Sequence, residues 1–594
     1  MAKFGFFTVL IASIIIFNSC SKKNVIEESF VYHPAAMQDV SGKPYGAYIA
    51  GRVAHLRKDF NSAADYYIQA LQADPDNPEL VGRVYLILAS KGRIDEAAKY
   101  ARLSIANGDK NNFTHIIIAI DNMKKGNYEE ARKIISGIDG VIYKDFISPL
   151  MNAWAYAGEN KREKALLSLN ALKKEPSFKA LYHFQAGMIN DYFDDTAAAQ
   201  KNYEVIVNDE QLEMSFRALQ VISNFYVRTG QKDKAVALVE KYQNERALAD
   251  MMRQLQIKIA DADAEKTKKI IDDANKGNAE ALFSIAATLR QGAAGMDLAH
   301  MFISLSIYEN RDYDLAKLLL ADILENREMY AEANSVYDEI NKNSEAYYTA
   351  QMKKANNLML MEDYKAAELL LKSLALETNS YQLYLDLGDV LRVSNKQGEA
   401  IEYYKKAIEK LTKVQEQHWI LFYALGISYE QDDQWDKAEK NFKKALELSQ
   451  NHYLVLNYLG YSWIKQGKNV DEAFSMIVDA YNQAPNDGSI ADSLGWALYR
   501  LGLYDKAVIY MERASELEPA NAVISDHLGD AYWYGGRKNE ASFQWKHALI
   551  MKDPLGELNK KEVKEKISRN FVKNEPLEFD KILIYEKIAD IAKE

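Results

Sequence analysis

Apolar and small residues recur along this chain on a scale longer than a single helix or strand. Between residues 381 and 555 the same arrangement returns about every 34 residues. The copies are YQLYLDLGDVLRVSNKQGEAIEYYKKAIEK from Tyr381, WILFYALGISYEQDDQWDKAEKNFKKALEL from Trp419, YLVLNYLGYSWIKQGKNVDEAFSMIVDAYNQAP from Tyr453, GSIADSLGWALYRLGLYDKAVIYMERASELEP from Gly488 and AVISDHLGDAYWYGGRKNEASFQWKHALIMKDP from Ala522. Each carries Leu-Gly in its first half, at Leu387-Gly388, Leu425-Gly426, Leu459-Gly460, Leu494-Gly495 and Leu528-Gly529. In the second half stand an alanine (Ala400, Ala438, Ala473, Ala507, Ala541), a large residue four further on (Tyr404, Phe442, Ile477, Met511, Trp545) and a second alanine (Ala407, Ala445, Ala480, Ala514, Ala548). This pattern predicts two antiparallel helices per copy. The glycine and first alanine remove bulk where the two helices meet, and the second alanine does so toward the next copy. Pro485, Pro519 and Pro554 end the second helix, because proline lacks a backbone donor and disfavours a helical residue before it. One unit cannot bury both faces alone, so the copies must stack into a continuous core. The expectation is an all-α solenoid.

These are the signature positions of the tetratricopeptide repeat (TPR), and the chain resembles a TPR-type α-solenoid, a superhelix of about 13–15 antiparallel helix pairs. Upstream the pattern is fainter. Residues 44–77 give Gly51, Ala63, Tyr67, Ala70 and Pro75 at the same offsets, and the alanine position recurs at Ala97, Ala131, Ala165, Ala199, Ala235, Ala333 and Ala367. Residues 44–245 and 279–378 therefore read as degenerate TPR arrays and 381–555 as well-formed repeats. Segment 246–278 is more charged and breaks the phase, which places an irregular helical pair or a bend there. Residues 556–594 are rich in Lys and Glu and read as a terminal helical cap.

Composition agrees with a folded helical body of many small units. In 594 residues, hydrophobic residues make up 48% and charged residues 27%, with only 10 prolines and 28 glycines. A formal charge of −11 with no basic run argues against nucleic acid. The sequence has no Gly-x-Gly-x-x-Gly, P-loop, His-Glu-x-x-His or Gly-x-Ser-x-Gly motif; Gly460 to Lys468 imitates a P-loop only at the wrong spacing. His527, beside Asp526, reads as an imidazole packed at the inner helix of its repeat. No cofactor, metal site or catalytic residue is expected, and the chain reads as a non-enzyme.

The single cysteine, Cys20, is informative through its position. MAKFGFFTVLIASIIIFNSCSKKN places Lys3, then 14 apolar-rich residues from Phe4 to Phe17, then Asn18, Ser19 and Cys20. That run is short for a membrane span, which needs about 20 residues, and suits a signal-peptide core. The arrangement resembles a bacterial lipoprotein signal, although Phe17 and Asn18 depart from the usual Leu and small residue before the cysteine. The resemblance implies a signal peptide over 1–19, lipidation at Cys20 and a polar tether over 20–43; the alternative is an uncleaved N-terminal anchor. Ser21 after the cysteine resembles outer-membrane sorting, and such a lipid terminus would hold the chain stably at the envelope, facing the periplasm.

Binding should lie on the concave wall, where the first helix of each repeat points side chains not needed for stacking. With the repeat glycine as position eight, inward positions two, five, nine, twelve and thirteen give Asn457, Tyr461 and Lys465; Asp492, Trp496, Tyr499 and Arg500; then Asp526, Asp530, Trp533 and Tyr534. Aromatics and Arg among polar groups are what binding hot spots favour. The alternative is that Trp496 and Trp533 pack against neighbouring helices. A carboxylate clamp would place Lys and Asn at positions five and nine of successive repeats. These positions instead read Asn457/Tyr461, Asp492/Trp496 and Asp526/Asp530, a lining that suits a folded surface or an extended basic segment.

The block Leu456–Leu549, with LNYLGYSW, DSLGWALYRLGLYDKAV and ISDHLGDAYWYGGRKNEASFQW, resembles the C-terminal repeats of proteobacterial TPR lipoproteins. That resemblance implies an outer-membrane adaptor that brings a periplasmic carboxyl-terminal processing protease to its clients. Two other readings stay open: an assembly or secretion factor for outer-membrane or exported-polysaccharide machinery, and a glycan-binding module that stacks sugars on Trp496, Trp533 and Tyr534.

Overall fold

A computed structural model of the chain describes residues 44–591, apart from 58, 76, 213, 243–248, 291–294, 379, 412, 552, 554–557 and 570–573. Cys20, the signal-peptide stretch 1–19, the tether 20–43, Pro554 and Gly556 lie outside the described residues. The described chain forms helix after helix and divides into two units, residues 44–362 and 363–591. No described helix is long and apolar enough to cross a membrane.

The second unit shows the repeat most plainly. After helix Tyr364–Leu374 come five pairs: Tyr381–Val393 with Gln397–Glu409, Trp419–Gln431 with Trp435–Ser449, Tyr453–Gln466 with Val470–Gln483, Gly488–Arg500 with Tyr504–Leu517, and Ala522–Tyr534 with Lys538–Ile550. Both alanine series and the large residues between them are fully buried throughout. The glycine has a more specific role than general lack of bulk. A Cβ on Gly388, Gly426, Gly495 or Gly529 would lie 2.5–2.6 Å from Tyr404, Phe442, Met511 or Trp545, so each glycine is the seat of its own repeat's large side chain. At Gly460 the clash is with the Ala473 carbonyl oxygen (2.8 Å) and Ile477 (2.9 Å), because this repeat has one extra residue between its glycine and its first alanine. Several of the inner helices open on a side-chain cap. Ser380, Asp487 and Asn521 accept from Leu383, Ile490 and Ile524, satisfying backbone donors that have no partner within the helix.

Beyond Ile550 the chain does more than cap. Helix Lys560–Arg569 packs on Lys538–Ile550 as a following helix would, but residues 574–580 then run back, extended, over the preceding repeats. The final helix, Lys581–Ile591, packs on Val470–Gln483 with Ile584 and Ile588 buried.

The first unit begins with six pairs, from Pro44–Leu56 with Phe60–Ala73 to Phe216–Arg228 with Lys232–Tyr242. Ala97, Ala131, Ala165, Ala199, Ala235 and Ala333 are all fully buried, as in the second unit. Helix Ala249–Ala260 stands between the sixth pair and a non-helical stretch, 261–273. The next pair, Ala274–Leu289 with Met296–Glu309, then turns back against the first helices of earlier repeats. Ala274–Leu289 packs on Ser148–Gly158 and Lys179–Tyr192, and Met296–Glu309 packs on Pro78–Ser90 and Asn112–Lys124. Gly277 makes the first contact possible: a Cβ there would lie 2.0 Å from the indole of Trp154, which is itself fully buried with Nε1 donating to Gln185 at 2.8 Å. The rings of Phe113 and Phe302 meet edge to face at 5.8 Å, and Lys124 Nζ donates to the Glu309 carbonyl at 2.8 Å. Arg217 forms a buried ion pair with Glu280, its Nε 3.0 and 3.1 Å from the two carboxylate oxygens, and the Tyr313 hydroxyl donates to the same carboxylate at 2.6 Å. The unit ends with Asp314–Glu325 paired with Tyr330–Asp338, followed by Tyr347–Leu360.

Candidate protein-binding surface

The eleven inward residues read from the sequence all fall on the first helices of the last three repeats, and the structure joins most of them in one network. Asp492 and Tyr499 are buried, Trp496 is half-buried, and His527 from the next repeat fills the space between them. The His527 imidazole stacks on Trp496 with centroids 4.2 Å apart, and its Nδ1 lies 2.7 Å from Asp492 Oδ2. Burial alone would lower this imidazole. The Asp492 carboxylate, with Asp526 and Asp530 adding negative charge, outweighs that and raises it above its usual range. The packed reading of His527 thus describes its place, but its partner is Asp492 of the preceding repeat rather than the adjacent Asp526.

Aromatic contacts continue the network. Trp496 also stacks on Tyr499 (5.0 Å), Tyr499 meets Tyr534 edge to face (5.9 Å), and Tyr534 stacks on Tyr504 (4.7 Å). Trp533 is half-buried beside Trp545, with the Lys538 ammonium 4.8 Å from its ring centre. Asn457 and Tyr461 are half-buried and Lys465 is exposed on helix Tyr453–Gln466. Arg500 Nη1 donates to the Lys465 carbonyl at 3.3 Å.

The two aspartates of the last repeat have partners within the chain. Lys566 Nζ lies 2.8 Å from Asp526 Oδ2 and 2.8 Å from Asp530 Oδ2, and Trp545 Nε1 donates to Asp530 Oδ1 at 2.9 Å. Asp530 is only 3% exposed. Burial pushes its carboxyl up against the pull of Lys566, and the neighbouring Asp526 charge adds to the rise. An ion pair this deep holds the last repeat to its following helix and is costly to break from one side.

The returning tail touches the remaining members. The Asn574 N–H donates to the Tyr534 hydroxyl at 2.9 Å, and its side-chain Nδ2 donates to the Tyr499 carbonyl at 3.0 Å. The Leu577 N–H donates to the Arg500 carbonyl at 2.8 Å. Carbonyls at the end of a helix have no intrahelical donor, so helix Gly488–Arg500 presents acceptors to any chain that crosses it there. Pro576 lies 3.3 Å from the Cβ position of Gly502 and Leu577 lies 3.1 Å from that of Gly467, both turn glycines at positive φ. The Asp580 N–H then donates to Asp471 at 2.9 Å, and Lys587 Nζ reaches Asp479 at 3.4 Å. Lys566, Asn574, Pro576 and Leu577 lie in a tail with no repeat phase, so inward-position counting could not find them; an Asn-x-Pro-Leu stretch after a Lys-rich helix was the available signal.

Stacked helix pairs, small residues at each crossing and an inner wall of carboxylates and aromatics define a helical-repeat solenoid with a polypeptide-contacting face. The chain carries tetratricopeptide repeats. Family models described as tetratricopeptide repeat match residues 50–112, 381–409, 419–452 and 491–521. A TPR repeat-containing protein of Pseudomonas aeruginosa is 26% identical over 219 residues, 36% of this chain and 36% of that protein. A BBSome complex member of Bos taurus is 29% identical over 122 residues, 20% of this chain and 22% of its own length. The chain thus matches only about a third or less of the length of these relatives. The structure of the APC/C hetero-tetramer Cut9-Hcn1 is similar over 89% of this chain and 97% of that one, with 12% identity and a TM-score of 0.38. TPR proteins bind other proteins and are generally non-catalytic scaffolds.

Proposed function

We propose that this chain is a non-enzymatic protein-binding scaffold, held by a lipid at Cys20 in the bacterial envelope and facing the periplasm from the outer membrane, and that it brings a carboxyl-terminal processing protease to its clients. The observation that carries the scaffold reading is the contact of the last repeats with the chain's own tail, made through helix-end carbonyls and a tyrosine hydroxyl. The lipid anchor and the protease rest on the resemblances at Cys20 and over Leu456–Leu549. The alternative of an assembly or secretion factor uses the same surface with a different partner. The glycan reading is disfavoured because Trp496 and Tyr534 already stack on other rings and Trp533 carries Lys538.

The test is capture from envelope extracts with the full-length, membrane-targeted chain, followed by mass spectrometry, alongside labelling with a fatty-acid analogue. Recovery of a periplasmic processing protease together with a client is expected, with label lost in Cys20→Ala. Recovery of outer-membrane or polysaccharide-export machinery without a protease sinks the adaptor role and supports the alternative. Label that persists in Cys20→Ala removes the lipid anchor.

A further inference from the structure

The tail that crosses the last repeats is held differently from the helices beneath it. Its path from Asn574 to Asp580 is extended, and its polar contacts are made to groups that water can otherwise satisfy: the carbonyls of Tyr499 and Arg500, the Tyr534 hydroxyl and the Asp471 carboxylate. Its apolar seats are turn glycines, Gly502 and Gly467, rather than a cavity in the core. Below it, each repeat is closed by its own glycine and large residue, and none of these contacts is supplied by the tail.

The wall also has hydrogen-bonding capacity that the tail leaves unused. Tyr499 is 2% exposed and Asp492 6% exposed, yet the Tyr499 hydroxyl and Asp492 Oδ1 have no hydrogen-bond partner among the described residues, and neither does Trp496 Nε1. Buried polar atoms are normally paired. These atoms are enclosed by the stacked rings of Trp496, Tyr499 and His527, so the contacts open to a crossing segment are the ones the tail makes.

We propose that the edge formed by the helix ends and turns of the last three repeats is a docking groove for an extended partner segment of Asn-x-Pro-Leu character leading into a short amphipathic helix, and that residues 574–591 of the chain occupy it as an internal stand-in that the partner displaces. This rests on the scaffold reading and says which surface the scaffold uses and what guards it. The occupant is polypeptide because the groove's acceptors are spaced to take backbone and carboxamide N–H groups from one extended strand, at Tyr534, Tyr499 and Arg500 in turn. Its helical continuation would place apolar residues where Ile584 and Ile588 are buried and a cation near Asp479. A tethered tail competes at an effective concentration of about 1 mM. With an intrinsic Kd of about 10 μM for the tail segment itself, any partner for the same groove is therefore weakened about 100-fold until the tail is released.

The probe is a synthetic peptide of residues 574–591, added to the full chain and to a release variant with Asn574→Ala, Leu577→Asp and Ile584→Asp. None of these three residues belongs to the repeats. The release variant should bind the peptide about 100-fold more tightly than the wild type, and a peptide bearing Leu577→Asp should not bind either protein. Equal affinity for both proteins, or no binding to a folded release variant, overturns the proposal. So does a wild-type chain that dimerises by exchanging tails. If the release variant does not fold, the wild type decides. Peptide at millimolar excess should speed deuterium uptake at the Leu577 and Asp580 amides, and unchanged uptake overturns the proposal. Loss of peptide binding while envelope partners are still captured defeats this inference alone; intact peptide binding without capture defeats the adaptor reading instead.

Discussion

The two units build the same repeat and use its inner side in opposite ways. In residues 44–362 the first helices of the early repeats are covered by the chain's own later pair, through Gly277 against Trp154, Phe302 against Phe113 and the buried Arg217–Glu280 pair. In residues 363–591 the corresponding helices of the last repeats carry a polar and aromatic network, and across them the chain returns as a strand resting on helix ends, with Ile584 and Ile588 of its final helix buried further along against the second helix Val470–Gln483. Covering a wall with apolar side chains and a desolvated ion pair makes the covering part of the core. Covering it with hydrogen bonds to groups that water also satisfies contributes little net free energy and leaves the surface exchangeable. A TPR array is therefore not a binding surface along its whole length, and what lies on each wall decides which stretch is.

The contrast can be broken most sharply at Arg217. Arg217→Ala leaves Glu280 charged and buried, with only the Tyr313 hydroxyl for support, and should cost about 3–5 kcal/mol. Denaturant melts read with hydrogen exchange should show the loss in helices 216–228 and 274–309, with repeats 453–550 unchanged. Uniform loss would mean that the covering pair is not a distinct element of the first unit. A smaller effect is expected from Gly277→Ala. The new Cβ meets a buried indole that has no room to turn, so the two helices must part, at a cost of about 1–3 kcal/mol. A neutral result would show that this contact is as yielding as the tail's.

The smallest effect belongs to the second unit and is read by pH. The folded state raises the His527 imidazole above its unfolded value of about 6.5. Folding therefore takes up a proton, and the stabilisation is complete below about pH 6.5 and is lost as pH rises through the higher folded value, with a slope of at most about 1.4 kcal/mol per pH unit. His527→Gln should flatten the melting profile over that window while keeping a hydrogen bond to Asp492. An unchanged slope would assign the pH dependence to Asp530, whose carboxyl is pushed up to about 7.

Much of the fold was legible because its constraint is local. Every alanine in the series from Ala97 to Ala541 is fully buried, since each must let two helices touch within one repeat or its neighbour. The count from the repeat glycine placed the eleven candidate residues on the first helices of the last three repeats. What the count could not give was what covers them. Gly277 and Trp154 lie far apart in sequence and share no periodic relation, so only the fold brings them together. The break in phase at 246–278 gave no sign that the pair after it would pack on the first helices of earlier repeats. The tail from 556 onward read as a cap because its Lys/Glu-rich helix resembles one. Asn574, Pro576 and Leu577 follow no repeat, and two of their hydrogen bonds are to the Tyr499 and Arg500 carbonyls, which carry no sequence signal.

One departure from the repeat bears on how any strand finds its place there. A perfectly regular array offers an extended chain the same footing at every step, so the strand could slide by one whole repeat at little cost. The residue added between Gly460 and Ala473 makes the third of these five repeats unlike its neighbours, and Gly467, in the turn that follows, is where Leu577 comes to rest. An irregularity of one residue thus sets the footing under Leu577 apart from the equivalent place on every neighbouring repeat.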